Sequence, residues 1–269
     1  MRILQKREIN NKTGIGIIAL LVFIAMVLTS INACEYFGIG NTMSWKEEVL
    51  LHDGSKIVVK RIFHLGSKPT WESTERQALD EIVAFNLPGS NKKITWTTDF
   101  RDAKPEPNSL NLLVLDIVNG TPYIATYPAG CIAYNKWKRP NPPYIFLKYD
   151  GNDWKQIPLE EFPEEISKVN VIVGKPPEEL KKSFYTVEQV NEQNHDIHRS
   201  ELKTIIRTPL KENDLCSELV FDGKGGWMGI DFFNTKASYE ECFDVCKRVL
   251  FDIKYCPCNR LFQTKTKEK

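Results

Sequence analysis

The sequence predicts a mainly β protein, with antiparallel hairpins forming a sheet or a sandwich and a small α/β, disulfide-rich module at the C-terminal end. Three observations carry that prediction. Turn dipeptides containing glycine recur between apolar runs over residues 43–175. The pattern then breaks at Pro176-Pro177-Glu178-Glu179. Five of the seven cysteines fall after residue 213.

The hairpins come first. VLLHDGSKIVVKR sets Asp53-Gly54 between two apolar runs, and IVAFNLPGSNKKITW sets Pro88-Gly89 in a longer loop. LLVLDIVNGTPYIATY carries Asn119-Gly120, and YIFLKYDGNDWKQI carries Asp150-Gly151. Asn-Gly and Asp-Gly between apolar runs are strong hairpin signals, because their tight turns need positive φ. Leu113, Leu115 and Ile117 lie in a run apolar enough for a central strand, and VNVIVG (residues 169–174) would add another, for roughly nine strands. The turns recur at intervals of 35, 31 and 31 residues. Propeller blades need about 40 residues for four strands, whereas these units hold two, so a sheet or sandwich fits better. His52, beside the first turn, reads as a surface residue.

After the break at 176, Leu180, Phe184, Val187 and Asn191 follow at helical spacing, and Thr186 with Gln189 can start a short helix. The polar run VNEQNHDIHRSE reads as a linker or surface helix. LVFDGKGGWMGIDFF is a further hairpin, and Ser238 with Glu241 reads as a capping box. In the helix it opens, Cys242, Cys246, Val249, Leu250 and Ile253 form one apolar stripe. The expected organisation is a signal or anchor over 1–33, a tether over 34–42, a β-rich domain over 43–175, a helical linker region over 176–212 and the cysteine-rich module over 213–269.

Residues 1–12 hold Arg2, Lys6, Arg7 and Lys12 against Glu8, and the uncharged run Gly14 to Ser30 follows. A basic segment before an apolar run of about 17 residues is the pattern of a secretory signal or a short membrane anchor. Positive charge stays on the cytoplasmic side, which places everything after residue 33 outside it. LTSINAC, ending at Cys34, resembles a bacterial lipobox, with Ala33 before the cut and Ile31 two residues further back. That resemblance implies a lipidated Cys34; the alternative is an uncleaved anchor. Either way the partner is a membrane, reached through an N-terminal lipid or helix, with the body facing the periplasm. Glu35 after the cysteine favours the outer membrane by resemblance to lipoprotein sorting signals.

With Cys34 set aside, Cys131, Cys216, Cys242, Cys246, Cys256 and Cys258 form an even set suited to an oxidising compartment. Cys256 and Cys258 lie too close to pair without strain, so Cys242 and Cys246 are expected to pair with them, leaving Cys131 for Cys216. Six cysteines allow 15 pairings, and sequence does not select among them. Zinc is the rival, but C-x3-C-x9-C-x-C lacks the spacing of a zinc site. No metal or cofactor is expected.

The segment beyond residue 33 holds 32 basic and 34 acidic residues, interspersed, which argues against a nucleic-acid partner. No G-x-S-x-G nucleophile elbow occurs, and Gly223-Lys-Gly-Gly226 lacks phosphate-loop spacing. His195 and His198 lack H-E-x-x-H context, and the carboxylates of PLEEFPEE look solvated, so no catalytic residue is assigned. YNKWKRPNPPY displays Trp137, Lys138, Arg139 and Tyr144 on a proline-stiffened loop, suited to stacking and cation–π contact with an envelope protein or a glycan.

The stretches MSWKEEVLLHDGSKIVVKR, LNLLVLDIVNGTPYIA, YNKWKRPNPPYIFLKYDG and DLCSEL resemble an uncharacterised family of exported proteobacterial proteins. The resemblance implies an envelope setting and carries no activity. The expectation is therefore a membrane-tethered binding or structural module, the alternative an envelope hydrolase whose site is assembled from distant residues.

Overall fold

The computed structural model describes residues 41–67, 75–211 and 216–263. The basic and apolar N-terminal segments and Cys34 lie outside the described residues, and among those described no helix is long and apolar enough to cross a membrane.

Two meanders make the body. Strands β1 (Thr42–Leu50), β2 (Lys56–Leu65), β3 (Ala78–Asn86) and β4 (Lys93–Asp99) lie in sequence order in one sheet, which a short β9 (Phe184–Tyr185) extends by pairing parallel to β1. Strands β5 (Leu110–Val118), β6 (Thr121–Pro128), β7 (Ile145–Tyr149) and β8 (Trp154–Ile157) form a second antiparallel sheet. Asn119 and Gly120 both take positive φ, 50° and 75°, in the tight turn between β5 and β6. The protein is mainly β, as the hairpin signals predict.

The sheets face each other. β1, β2 and β4 alternate buried and outward residues, and their inner apolar positions meet β5–β7 in one core. Val59, Val83, Leu112, Leu115 and Ile124 there are fully buried, each contributing about 1.5–3 kcal/mol. The opposite face of the second sheet carries another core, in which Leu113, Tyr123 and Phe146 meet Phe162, Ile166 and Ile205 from irregular chain. A bulge between Leu112 and Val114 shifts the phase of β5, so that Leu110 and Leu112 before it and Leu115 and Ile117 after it face the same inter-sheet core.

Two expectations change. β5 is apolar like a central strand, yet it ends its sheet. Its edge is covered by residues 169–171, which form no strand. Asn170 accepts from the backbone of Leu115 and donates to the carbonyls of Leu115 and Leu50, while its own N–H donates to Leu113. Side-chain hydrogen bonding thus replaces a ladder and protects the edge. Val171 and Ile172 meanwhile plug two separate cores. The helical spacing after Pro176 also misleads: Glu178–Leu180 is a single 3-10 turn, and Ser183 accepts from Lys46 beside β9. The helix capped by Thr186 and Gln189 does form, as α2 (Val187–Gln193).

Helix α1 (Cys131–Lys136) connects β6 to β7. At the C-terminal end, β10 (Leu219–Phe221) and β11 (Trp227–Gly229) pair antiparallel and precede α3 (Asp231–Asn234), α4 (Tyr239–Arg248) and α5 (Cys258–Gln263). Ser238 caps α4 by accepting from Glu241, whose carboxylate reaches the N–H of Ala237. α4 ends at Arg248, so the expected stripe is cut short. Cys242, Val245 and Cys246 are buried, whereas Val249, Leu250 and Ile253 face outward. Disulfides join Cys242 to Cys258 and Cys246 to Cys256 around this core, and Cys131 to Cys216 links α1 to the start of the module.

Candidate functional site

The aromatic-basic loop is spread over three environments. Tyr144 is buried, and its hydroxyl lies 2.9 and 3.1 Å from the carbonyls of Glu201 and Thr204 while accepting from the N–H of Ile206. Burial pushes this phenol up to about 12. Arg139 donates to the carbonyl of Cys216 at 2.7 Å and lies over the ring of Tyr134, so its guanidinium fastens the C-terminal module. Lys138, with φ of 61°, points to solvent. Trp137 is half-buried against the inter-sheet core, and its indole N–H donates to the carbonyl of Asn108 at 2.8 Å.

One face of Trp137 borders an open groove of about 450 Å³. Residues 95–99 of β4 form one side, Trp154 of β8 another, and Pro107 and Asn108 the rim. The indole of Trp154 is itself held by the carbonyl of Thr95 at 2.9 Å. Both tryptophans are therefore fixed by their N–H groups. Lys136, which precedes Trp137, is buried and donates to Asn108 and Asp102, bracing the rim from behind.

A second cavity, of about 410 Å³, lies at the other end of the body. His52, which the sequence places at the surface beside the first turn, and Asp116, which the sequence reading does not single out, stand at its edge. Asp116 is buried on β5, and its carboxylate accepts from His52 Nδ1 at 2.8 Å, from the His52 backbone N–H at 2.9 Å and from that of Ile117 at 2.7 Å. The hydrogen bond to Asp116 raises the imidazole above its ordinary value, against the opposing effect of burial. Glu165 and Lys168 line the same cavity with apolar Leu51, Val169 and Val190. The signal in the sequence was Asp116 itself, the one charge in the apolar strand LNLLVLDIV.

An imidazole held through Nδ1 keeps Nε2 for proton transfer or for a ligand. Among the described residues, no hydroxyl or thiol hydrogen-bonds to His52 in the manner of a nucleophile. Asp116 also has a structural task, since its bonds fasten the β1–β2 turn to the second sheet.

A third charged group lies wholly inside. Arg61 on β2 is flanked by Glu47 on β1 and Glu81 on β3, all at inward positions and all fully buried. The guanidinium donates to both carboxylates and to the carbonyls of Ile172 and Gly174, and it lies over the rings of Trp45 and Phe63. The Trp45 indole donates to Glu47 at 2.7 Å. Burial pushes the Glu81 carboxyl up, and the charge of Arg61 opposes that shift. This cluster borders none of the cavities described above, and it ties segment 172–174 to the sheet.

The six described cysteines are all in disulfides. The sulfurs of Cys246, Cys256 and Cys258 lie within 4.8 Å of one another because two disulfides are adjacent. Metal binding needs thiolates, which those bonds consume. His195 and His198 are exposed, His195 beside Asp196.

No protein-family model, curated protein or solved structure matches the chain.

Proposed function

We propose that this protein is a membrane-tethered, exported binding module of the bacterial cell envelope, facing the periplasm, with Cys34 as its lipid-bearing residue. The observation that carries this reading is the closure of six cysteines into three disulfides, which leaves Cys34, beside the apolar run, as the odd one of seven. Such pairing suits an oxidising compartment and a rigid recognition scaffold. The linkage of α1 to the C-terminal module, through Cys131–Cys216 and Arg139, fixes the segment that carries Trp137.

Intact mass of the protein from native membranes, denatured without reductant and treated with a thiol alkylator, tests it. The expected mass is that of residues 34–269 plus acyl chains, less six hydrogens, with no alkylation. A full-length, multiply alkylated product would overturn the reading.

The His52–Asp116 pair favours a second reading, an envelope hydrolase with His52 as its proton-transfer group. Hydrolysis of an activated ester above background, lost in His52→Gln, would support it. Equal rates for the two proteins would remove it.

A further inference from the structure

We infer that the groove between Trp137 and Trp154 is a saccharide-binding site, an inference that rests on the binding-module reading and names its ligand class. β4 ends its sheet, with β3 on one side and a free edge on the other. Phe100 donates its N–H to Leu79 on β3, and Lys92 accepts from Leu87, so the even-numbered residues of this stretch direct their backbone groups toward β3. Antiparallel pairing alternates, so the odd-numbered residues Lys93, Thr95, Thr97 and Asp99 direct theirs toward the open edge.

That edge is stopped at two places. The carbonyl of Thr95 accepts from the Trp154 indole, and the carbonyl of Asp99 accepts from the N–H of Ser109 at 2.8 Å. Between them the backbone N–H and C=O of Thr97 face the groove and make no hydrogen bond to protein among the described residues. An adding strand needs a longer run of free groups. The capped edge instead offers the N–H and C=O of Thr97, about a residue's width apart, with the N–H of Asp99 beyond them.

The surroundings fit a pyranose. Trp137 and Trp154 supply aromatic surface on two sides, locked by their N–H bonds, and Trp96 lies buried beneath. Thr95 and Thr97 add exposed hydroxyls, and the carboxylate of Asp153 stands at the rim. A sugar ring has apolar C–H faces for indoles and equatorial hydroxyls that donate and accept side by side. Aromatic walls with a few fixed polar groups are the usual composition of a small-ligand site. About 450 Å³ is room for one to two rings.

The test uses the full-length protein in detergent, titrated with chitotriose, cellotriose, maltotriose and mannotriose, and with trialanine as an extended-peptide control. Tryptophan fluorescence and saturation-transfer NMR are the readouts. Binding of at least one trisaccharide is expected, weakened about tenfold or more by Trp137→Ala. Thr97→Pro removes the groove-facing N–H without breaking a β3–β4 ladder bond, so comparable weakening with an unchanged thermal midpoint is expected. Should Trp137→Ala unfold the protein, Trp137→Phe and Thr97→Pro carry the test. Binding of none of the four sugars, binding unchanged in Thr97→Pro, or binding of trialanine alone would each overturn the inference. The mass measurement is independent, so a lipidated, fully disulfide-bonded protein that ignores sugars would sink this site and leave the address standing.

Discussion

Replacing Arg61 by methionine tests how the first sheet tolerates charge in its interior. The substitution keeps an unbranched side chain of similar length but removes the cation that bridges Glu47 and Glu81. Two buried carboxylates would then face each other's field, and the carbonyls of Ile172 and Gly174 would lose their donor. Breaking a buried ion pair by removing one partner costs about 3–5 kcal/mol, because the remaining charge is stranded. Orphaned carbonyls add about 1–3 kcal/mol, and proton uptake by Glu81, already pushed upward by burial, returns part of that. The net expectation at neutral pH is a loss of about 3–5 kcal/mol in urea unfolding followed by tryptophan fluorescence. The partner experiment is Glu81→Gln, which still accepts from Arg61 and leaves one carboxylate for one guanidinium. It should cost less than about 1 kcal/mol, since one oxygen of Glu81 has no partner. If Arg61→Met costs less than about 1 kcal/mol, or Glu81→Gln costs as much as Arg61→Met, the account of the cluster is wrong.

Other consequences are as direct. Cys131→Ser with Cys216→Ser opens a link across 85 residues, which chain entropy values at about 4.5 kcal/mol; limited proteolysis should then release the C-terminal module first, and unchanged cleavage kinetics would count against this linkage. The raised His52 value means that the His52–Asp116 pair stabilises fully at pH below the unfolded value and loses that contribution as pH rises through the folded one. Thermal midpoints at pH 5.5 and 8.5 should therefore differ less in Asp116→Asn than in the parent, and equal differences would refute the pairing. Tyr144→Phe strips partners from the carbonyls of Glu201 and Thr204 and from the N–H of Ile206, for an expected loss of about 1–3 kcal/mol by urea unfolding. A neutral result there would mean that water replaces the hydroxyl.

The hairpins, the capped helices and the disulfide-rich end were legible because each depends on nearby residues. Asn119-Gly120 reports a φ requirement at its own position, and Thr186 with Gln189 closes a capping box within three residues. The inward charges left a signal that the sequence reading did not use: Glu47 and Arg61 sit on the apolar phase of strands that alternate, which points inward without naming partners. VNVIVG carried β propensity, but Asn170 spends its amide on β5 and Leu50, which only a folded neighbour can offer.

The groove and the second cavity belong to the tertiary structure. His52 and Asp116 are 64 residues apart in the chain, and Trp154 meets Thr95 across 59. Of the aromatic-basic loop, only Trp137 kept a groove-facing role, because burial of Tyr144 and the hydrogen bond from Arg139 to Cys216 were decided by chain that arrives later. By itself the sequence determined the β meanders, the exported-type N-terminal pattern and an even set of six cysteines, since turn geometry, hydrophobic runs and sulfur count are local or compositional quantities. Only the tertiary structure decided which side chains are spent on the fold and which remain for a ligand, because that depends on hydrogen-bond partners and solvent exclusion supplied by distant segments.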